Sequence, residues 1–300
     1  MMKSMDANDR IAIVEFCREA KVRQPLTAMT DANRTAAEGT LDDVGYGSGT
    51  NLWNGIEAGL KCVEKDAGRD RLCHILVLTD GETEERATVI PNMLGYKEKN
   101  EGLPATLSFF GFGYEIDSPL LVELADLCDG SYAFIPDGGF VGTCFVNAAG
   151  TLQATLSRDA QLTLEPEDGA TIVGILGGWK MQRRTDGIVT VCLGTLQYGQ
   201  SKDVVVRMTV PPGAQPSLVA ALEYSTLAGK ARAEAATGDG HAKGPEACEL
   251  ARCRSLAVDA LNQAVKMATE GNGSADTLKS AREHLMATVD EIKRSPAADA

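Results

Sequence analysis

The fold class of this chain is decided by Cys73-His-Ile-Leu-Val-Leu-Thr-Asp80-Gly81-Glu82, together with the upstream turn Gly47-Ser48-Gly49-Thr50-Asn51. The apolar run ends abruptly in Thr-Asp-Gly, which predicts a buried strand that delivers a carboxylate to the edge of a sheet. The glycine-rich turn predicts a loop that presents a hydroxyl just before a helix. A hydroxyl and a carboxylate at one sheet edge are hard oxygen ligands of the kind that Mg²⁺ prefers.

The N-terminal half alternates between strand-like and helix-like segments. Strands are predicted at Arg10–Cys17, Cys73–Thr79, Ala105–Phe112 and Ser131–Ile135. Helices are predicted near Thr30 and at Asn51–Glu64, Glu84–Lys99, Asp117–Leu127 (with Ser118 as the cap) and Gly139–Leu156. This alternation predicts an α/β fold with a parallel sheet covered on both faces. Functional groups of such sheets lie at the carboxyl ends of the strands, where Thr50 and Asp80 are predicted.

The pattern changes after Arg158. Five short strand-like runs separated by turn residues predict a small antiparallel β-sandwich at 158–236, after the α/β domain at 1–157. A Gly-rich linker is predicted at 237–244, a helical hairpin at 245–294 and a disordered tail at 295–300. The residues predicted to face each other in the hairpin are Leu250, Leu256, Leu261 and Val265 on the first helix and Leu278, Leu285, Val289 and Ile292 on the second.

Composition excludes several function classes. Of the 300 residues 44% are hydrophobic, which is enough for sizeable cores, and the net charge of -13 argues against nucleic-acid binding. No apolar run is long enough to span a bilayer, and the N-terminus lacks the pattern of a signal peptide. The eight cysteines form no Cys-x-x-Cys pair and lie mostly in apolar patterns, which indicates reduced thiols and a cytoplasmic protein.

Taken in series, four motifs resemble a von Willebrand factor type A (vWA) domain. They are Arg10-Ile-Ala-Ile-Val-Glu-Phe16, Gly49-Thr-Asn-Leu52, Ile75-Leu-Val-Leu-Thr-Asp-Gly81 and Phe110-Gly-Phe-Gly113. The segment Phe134–Asn147 resembles the end of the vWA domain in intracellular proteins that continue into a β-rich Vwaint-like or Hint-associated region. Some related proteins carry U-box or RING ubiquitin-ligase modules.

The resemblance implies a metal-ion-dependent adhesion site that is incomplete in this chain. Thr50 and Asp80 match two of its ligands, whereas the Asp-x-Ser-x-Ser loop and the strand before it have no counterpart, as in an N-terminally truncated vWA domain. We therefore expect Mg²⁺ or Mn²⁺ to bind weakly or not at all. The absent strand would lie between Arg10–Phe16 and Cys73–Thr79, so these strands either pair directly or leave a gap that another segment or molecule fills.

The sequence shows no catalytic constellation. His74, His241 and His284 do not cluster, and no Gly-x-Ser-x-Gly elbow marks a nucleophile. We therefore interpret the chain as a non-enzymatic protein-binding module that uses the face around Ser48, Thr50, Asp80, Gly81 and Glu82. The alternative, which the resemblance implies, is the substrate-binding part of a ubiquitin ligase.

Overall fold

The structure is a computed structural model that describes residues 2–45, 47–64, 71–215, 217–226, 229–238, 244–271 and 273–296. The chain divides into two compact units, one up to Arg158 and one from Asp159 onward. Most of the predicted linker at 237–244, with His241, and most of the predicted tail at 295–300 lie outside the described residues.

The first unit combines a parallel sheet, a β-hairpin and five helices within its described residues. The strands are β1 (Arg10–Phe16), β2 (Ala20–Ala28), β3 (His74–Thr79), β4 (Thr106–Phe112) and β5 (Tyr132–Ile135). The helices are α1 (Asp31–Asp42), α2 (Leu52–Val63), α3 (Arg86–Lys99), α4 (Ser118–Leu127) and α5 (Gly138–Gln153). Strands β3, β4 and β5 pair in parallel in that order, as the alternation of elements predicted.

The prediction that Arg10–Cys17 belongs to the parallel sheet is wrong. This segment forms β1, which pairs antiparallel with β2 in a separate two-stranded sheet. The sequence analysis did not predict β2, because Ala20–Ala28 is half polar and contains Pro25. Proline is tolerated on an edge strand, and β2 is such a strand.

The hairpin and the parallel sheet are separate sheets. No backbone ladder joins β1 to β3 in the part of the chain that the structure describes. Helix α2 packs against β1, β2 and β3, so it holds both sheets in one unit. Of the two arrangements that the sequence left open, direct pairing of these strands is wrong.

One face of the parallel sheet carries the main core. Because side chains alternate along a strand, Val77, Leu107 and Phe109 point to the same side and are buried there. They pack against apolar residues of α2, α3 and α4, among them Leu52, Ile56, Leu60, Val89, Met93, Leu120 and Leu124. The opposite face is less well covered. Phe110 stacks on Phe145 of α5 at a centroid distance of 5.3 Å, but Leu78 remains 41% exposed.

Polar side chains cap the helices that lead into the core. Asn51 accepts the Asn54 N–H at the start of α2 at 3.0 Å, and Thr30 accepts the Asn33 N–H in α1. The cap of α4 is Asp117 and not Ser118 as predicted, because its carboxylate accepts the Leu120 N–H at 3.0 Å. The Ser118 hydroxyl instead lies 2.7 Å from the Tyr132 hydroxyl.

The second unit contains two antiparallel sheets that share one core. Its strands are β6 (Thr155–Pro166, which begins before the boundary), β7 (Thr171–Leu176), β8 (Met181–Arg183), β9 (Val189–Gln197), β10 (Val205–Thr209), β11 (Leu218–Thr226) and β12 (Gly229–Ala236). One sheet has the order β12-β11-β6-β9-β8 and the other pairs β10 with β7. Leu164, Ile172 and Val191 are buried between them. The sequence analysis predicted five of these strands and missed β8 and β12, which carry few large apolar residues.

Two antiparallel helices follow, α6 (Pro245–Glu270) and α7 (Ala275–Lys293). The predicted contact surface is only half buried: Leu261, Val265, Leu278 and Val289 are exposed, whereas the other four predicted residues are partly buried, namely Leu250, Leu256, Leu285 and Ile292. The buried positions are occupied by small residues instead: Ser255, Ala260 and Ala264 on α6 and Ala281 on α7. Helix α6 packs against both α7 and β7, and small side chains permit that close approach on two sides.

We expect Gly55→Ala to destabilise the first unit and Gly95→Ala to stabilise it. A Cβ atom on Gly55 of α2 would lie 2.6 Å from the Phe16 ring, whereas one on Gly95 of α3 would meet nothing within 4 Å. Overpacking at Gly55 should lower the free energy of unfolding by about 1–3 kcal/mol, measured by urea unfolding. Removal of the glycine at the open helical site should raise it by about 0.5–1 kcal/mol. Equal effects of the two changes would contradict the contact between α2 and β1.

Candidate functional site

The turn before α2 and the loop after β3 meet at the carboxyl edge of the parallel sheet. The Thr50 carbonyl oxygen accepts two hydrogen bonds from that loop, from the Glu84 N–H at 3.2 Å and the Thr83 hydroxyl at 3.0 Å. The Thr83 hydroxyl also accepts the Leu52 N–H at 3.3 Å. Thr83 is therefore a buried link that fixes the first turn of α2 to the end of β3.

The same turn is also fixed to the end of β1. The Asn51 N–H donates to the Cys17 carbonyl at 2.7 Å, and the Asn54 side-chain amide donates to the Arg18 carbonyl at 3.1 Å. A Cβ atom on Gly47 would lie 2.6 Å from the Cys17 Cβ, so only glycine permits this approach. Three loops therefore converge at the N-terminus of α2, and we call this surface the rim.

The structure places all the predicted face residues on the rim. Thr50 and Gly81 contact each other directly, since a Cβ atom on Gly81 would lie 3.1 Å from the Thr50 hydroxyl oxygen. Asp80 precedes Gly81 and is exposed, as are Ser48 and Glu82. The hydroxyl and carboxylate loops named by the sequence analysis are therefore neighbours. Gly81 also closes a turn with the Thr79 hydroxyl, which donates to the Gly81 carbonyl at 3.1 Å.

The rim offers few oxygen donors for a cation. The predicted pair supplies one hydroxyl, Thr50, and one exposed carboxylate, Asp80. Among the described residues, no group of three or more His, Cys, Asp and Glu side chains is arranged to hold a metal ion. A protein-built Mg²⁺ site usually combines one or two carboxylates with several waters. Thr50 and Asp80 are the two oxygen donors that the sequence resemblance assigned to this edge of the sheet.

The rim carries mainly negative charge. The loop between β3 and α3 contributes Asp80, Glu82, Glu84 and Glu85, all of them exposed. Arg18 is 3.7 Å from the Glu84 carboxylate, and both side chains are largely exposed, so this ion pair is a weak one. The acidic loop lies at the start of α3, where the helix dipole stabilises negative charge.

Sequence reasoning missed the residues that organise the rim. Arg18 and Asn54 gave no signal, because their contacts are to segments far away along the chain. Thr83 gave no signal either, because charged residues surround it in the sequence although its side chain is buried. Gly47 and Gly49 did carry a signal, since two glycines in one short turn indicate a close backbone approach or a positive φ. Gly49 has a φ of 81°.

A second polar cluster lies at the opposite end of the parallel strands. The His74 Nδ1 is 2.5 Å from the Thr106 hydroxyl, and its Nε2 is 3.1 Å from the Ser108 hydroxyl. Ser108 in turn lies 3.0 Å from the Ser131 hydroxyl. Burial, reinforced by the charge of Arg158, lowers the pKa of His74 to about 4.

This histidine–serine pair does not form a nucleophilic site. Ser108 is only 4% exposed, so a substrate has no access to its hydroxyl. The group on the far side of His74 is a threonine hydroxyl, whereas a catalytic triad places a carboxylate there to stabilise an imidazolium. The cluster is a satisfied polar layer between β3, β4 and the start of β5.

Comparison with known proteins supports a vWA domain in this chain. The family described as "von Willebrand factor type A domain" matches residues 1–82. The Escherichia coli (strain K12) protein described as "Uncharacterized protein YfbK" is 19% identical over 227 residues. That alignment covers 75% of this chain but 39% of YfbK, so this chain spans well under half the length of that relative.

Solved structures share the fold at low sequence identity. A von Willebrand factor type A protein from Catenulispora acidiphila has a TM-score of 0.71 at 16% identity and covers 97% of this chain and 72% of its own. The human COPII-coat protein Sec24c has a TM-score of 0.52 at 14% identity, over 94% of this chain and 45% of its own. The Sulfolobus acidocaldarius ArnB paralog VWA2 has a TM-score of 0.50 at 14% identity and covers 99% of this chain and 74% of its own. These structures support an α/β vWA-like fold with a central parallel sheet.

We expect the stability of the first unit to fall between pH 6.5 and pH 4 because of His74. Its pKa is about 4 in the folded state against 6.5 unperturbed, so the unfolded chain binds the proton first as the pH falls. The contribution of His74 is therefore unchanged above pH 6.5, is lost as the pH falls towards 4, and does not decrease further below 4. The total loss should be about 3 kcal/mol, measured by urea unfolding across this range.

The matched variant is His74→Asn, which keeps a hydrogen-bonding side chain and does not titrate. Carboxylates contribute their own pH dependence to both proteins, so the quantity to compare is the difference between them at each pH. A difference that stays constant from pH 7 to pH 4 would show that His74 titrates normally in the folded protein.

Proposed function

We propose that the vWA domain of this chain is a protein-binding module without catalytic activity. In this proposal Ser48, Thr50, Asp80, Gly81 and Glu82 contact the partner from the rim. The observation that carries it is the double hydrogen bond to the Thr50 carbonyl, which fixes two loops from different elements into one exposed surface. A surface that is already rigid loses little conformational entropy on binding, and this suits recognition.

The charge of the rim favours a cationic partner. Three exposed carboxylates, Asp80, Glu82 and Glu85, lie on one loop, and the chain as a whole has a net charge of -13. Such a surface attracts a basic protein surface at long range and repels nucleic acid. We therefore propose a protein partner with a basic contact surface.

We propose that the rim is a degenerate metal-ion-dependent adhesion site. Thr50 and Asp80 are the residues that would contact Mg²⁺ or Mn²⁺, with water supplying the remaining ligands. Because two donors hold such a cation weakly, recognition in this proposal rests on the shape of the rim and its backbone groups. Titration calorimetry should therefore show a Kd of roughly millimolar or weaker for either ion. Micromolar binding that Asp80→Ala abolishes would overturn the proposal of a degenerate site.

A cytoplasmic location is part of the proposal. Cys253 is a buried thiol and Cys17, Cys62, Cys144 and Cys192 are partly buried thiols, as expected of a reducing compartment. Within the described ranges, no helix is both long and apolar enough to cross a bilayer.

The alternative function, the substrate-binding part of a ubiquitin ligase, uses the same rim, and no contact in the structure favours it over simple binding.

We expect a photo-crosslinking amino acid to capture the partner when it replaces Glu82. The matched control position is Glu98, which is also exposed but lies at the far end of α3, about 18 Å further along the helix. Asp80→Ala should remove the crosslink at position 82 and lower the free energy of unfolding by about 1 kcal/mol or less, since Asp80 is exposed. Equal crosslinking at positions 82 and 98 would exclude the rim as the binding surface.

A further inference from the structure

Each helix of the α6–α7 hairpin carries an apolar row that the fold leaves accessible. The two rows have the same spacing, i, i+7 and i+11, which places residues on one face of a helix. They are Leu250, Ala257 and Leu261 on α6 and Leu278, Leu285 and Val289 on α7. Leu261, Leu278 and Val289 are 56%, 51% and 39% exposed, and the other members are partly buried.

The two apolar rows lie on the same side of the hairpin. Glu249 of α6 bonds across the hairpin to the chain just after α7, and Gly271 lies against the Thr277 side chain. Leu250 directly follows Glu249, and Leu278 directly follows Thr277. Each row is therefore rotated by about 100° from the surface through which its helix contacts the other. Because the helices are antiparallel, equal rotations bring both rows to one side of the pair.

The charged residues that accompany the rows are mainly basic. Arg254, Arg282 and Lys293 each lie one helical turn after a member of a row, and all of them are exposed. Among the residues that the structure describes, no carboxylate forms an ion pair with any of these cations. Of the described acidic residues, Glu246 in the first turn of α6 is the one that helical spacing puts near a row.

The other acidic residues of the hairpin are on its other sides. Glu249 and Glu291 bond to Arg252, and Asp259 accepts the Gly177 N–H at 3.0 and 3.1 Å. By helical spacing, the side of α7 away from α6 carries Asp276, Glu283 and Asp290. In a chain with a net charge of -13, the two rows therefore form a local apolar and basic surface.

The shape of this surface suits a helix as its partner. A helix satisfies its backbone hydrogen bonds internally, so the hairpin offers side chains to a partner and no strand edge. A third helix laid along both rows would pack by ridges into grooves, as helices do in bundles. The row on α7 is about 16 Å long from Leu278 to Val289, which is three turns of such a helix.

We propose that the α6–α7 hairpin binds an acidic amphipathic helix of a partner protein along these two rows. Apolar residues of that helix cover the rows, and its flanking Asp and Glu residues pair with Arg254, Arg282 and Lys293. A second copy of the chain would bring the same cations face to face. A lipid surface fits less well, because interfacial helices insert Trp or Phe and neither α6 nor α7 contains an aromatic residue.

This surface and the rim are independent of each other. The rim is acidic and attracts a basic partner, whereas the hairpin rows attract an acidic one. Charges on exposed surfaces are screened beyond about 8 Å at physiological ionic strength, so the net charge of the chain does not prevent binding to a local basic surface. Failure of either proposal leaves the other unchanged.

The test uses two fluorescent peptides of eighteen residues that differ in charge alone. Both have leucine at the a and d positions of a heptad pattern, and the flanking e and g positions are glutamate in one and lysine in the other. Like charges at e and g keep each peptide monomeric. Fluorescence anisotropy should show saturable binding of the glutamate peptide to the full chain and at least tenfold weaker binding of the lysine peptide. Equal binding of the two, or no binding of the glutamate peptide, would overturn the proposal.

A charge-reversal pair locates the binding on the hairpin. Arg282→Glu changes a cation beside the row on α7, and Lys266→Glu makes the same change at an exposed position on the opposite side of α6. Arg282→Glu should weaken binding of the glutamate peptide several-fold and strengthen binding of the lysine peptide. Lys266→Glu should alter neither. The same response from both variants would show an effect of net charge and not of the rows.

A second pair of variants tests the apolar contact. Leu261→Ser removes an exposed apolar side chain from the row on α6, and Leu94→Ser removes one of similar exposure from α3, 48% against 56%. Leu261→Ser should weaken binding of the glutamate peptide several-fold, and Leu94→Ser should leave it unchanged. Circular dichroism checks that both variants keep their helical content. Equal binding by the two variants would contradict the assignment to the rows.

Three results would assign the rows to a different occupant and overturn the proposal of a partner helix. Binding to phosphatidylserine vesicles that Arg282→Glu abolishes would identify a lipid surface. A dimer of the chain that Leu261→Ser dissociates would identify a second copy. Failure of a longer polypeptide containing this chain to bind the glutamate peptide would identify a further segment of the same polypeptide.

Discussion

Helix α2 is the element on which the first unit depends. No hydrogen-bonded ladder joins the two sheets among the described residues, and they are held together because one face of this helix contacts β1, β2 and β3. That face combines large apolar residues with Gly55 and Gly59, whose missing side chains let the helix backbone approach Phe16 and Ile75. Ordinarily a continuous ladder fixes the relative position of strands in a sheet; here side-chain packing under a single helix does so.

The same helix organises the candidate binding surface. Its first turn is bonded to the end of β1 through Asn51 and to the loop after β3 through Thr83. The rim is therefore rigid for the same reason that the two sheets stay together. The proposed binding surface depends on this arrangement, because the rim consists of the loops that α2 brings together.

Sequence reasoning succeeded where local pattern and global fold agree. The run Ile75-Leu-Val-Leu78 followed by Thr-Asp-Gly predicted both β3 and the position of Asp80 at its end. It was wrong where contacts with distant segments of the chain determine the local structure. Strand β2 forms from a polar, Pro25-containing segment because β1 offers it a partner, and Leu261 and Val265 are exposed because α6 packs through alanines.

The candidate site, like the fold, was predicted only in part from the sequence. Thr50 and Asp80 could be named because each follows a local signal, a glycine turn or the end of an apolar strand. Their connection through Thr83 could not be predicted, because a hydrogen bond between residues 33 positions apart produces no recognisable residue spacing in the sequence. The polar layer around His74 could not be predicted either. Thr106 and Ser108, the partners of His74, lie on the next strand and become its neighbours only through the β3–β4 register.

The central claim is that α2 makes the β1–β2 hairpin and the β3–β4–β5 sheet one cooperative unit. Native-state amide hydrogen exchange, followed as a function of low urea concentrations, tests it most directly. The account predicts that the most protected amides of β1, α2 and β3 converge on the same free energy of opening. Opening of β1 and β2 at a much lower free energy, while α2 and β3 stay protected, would contradict it.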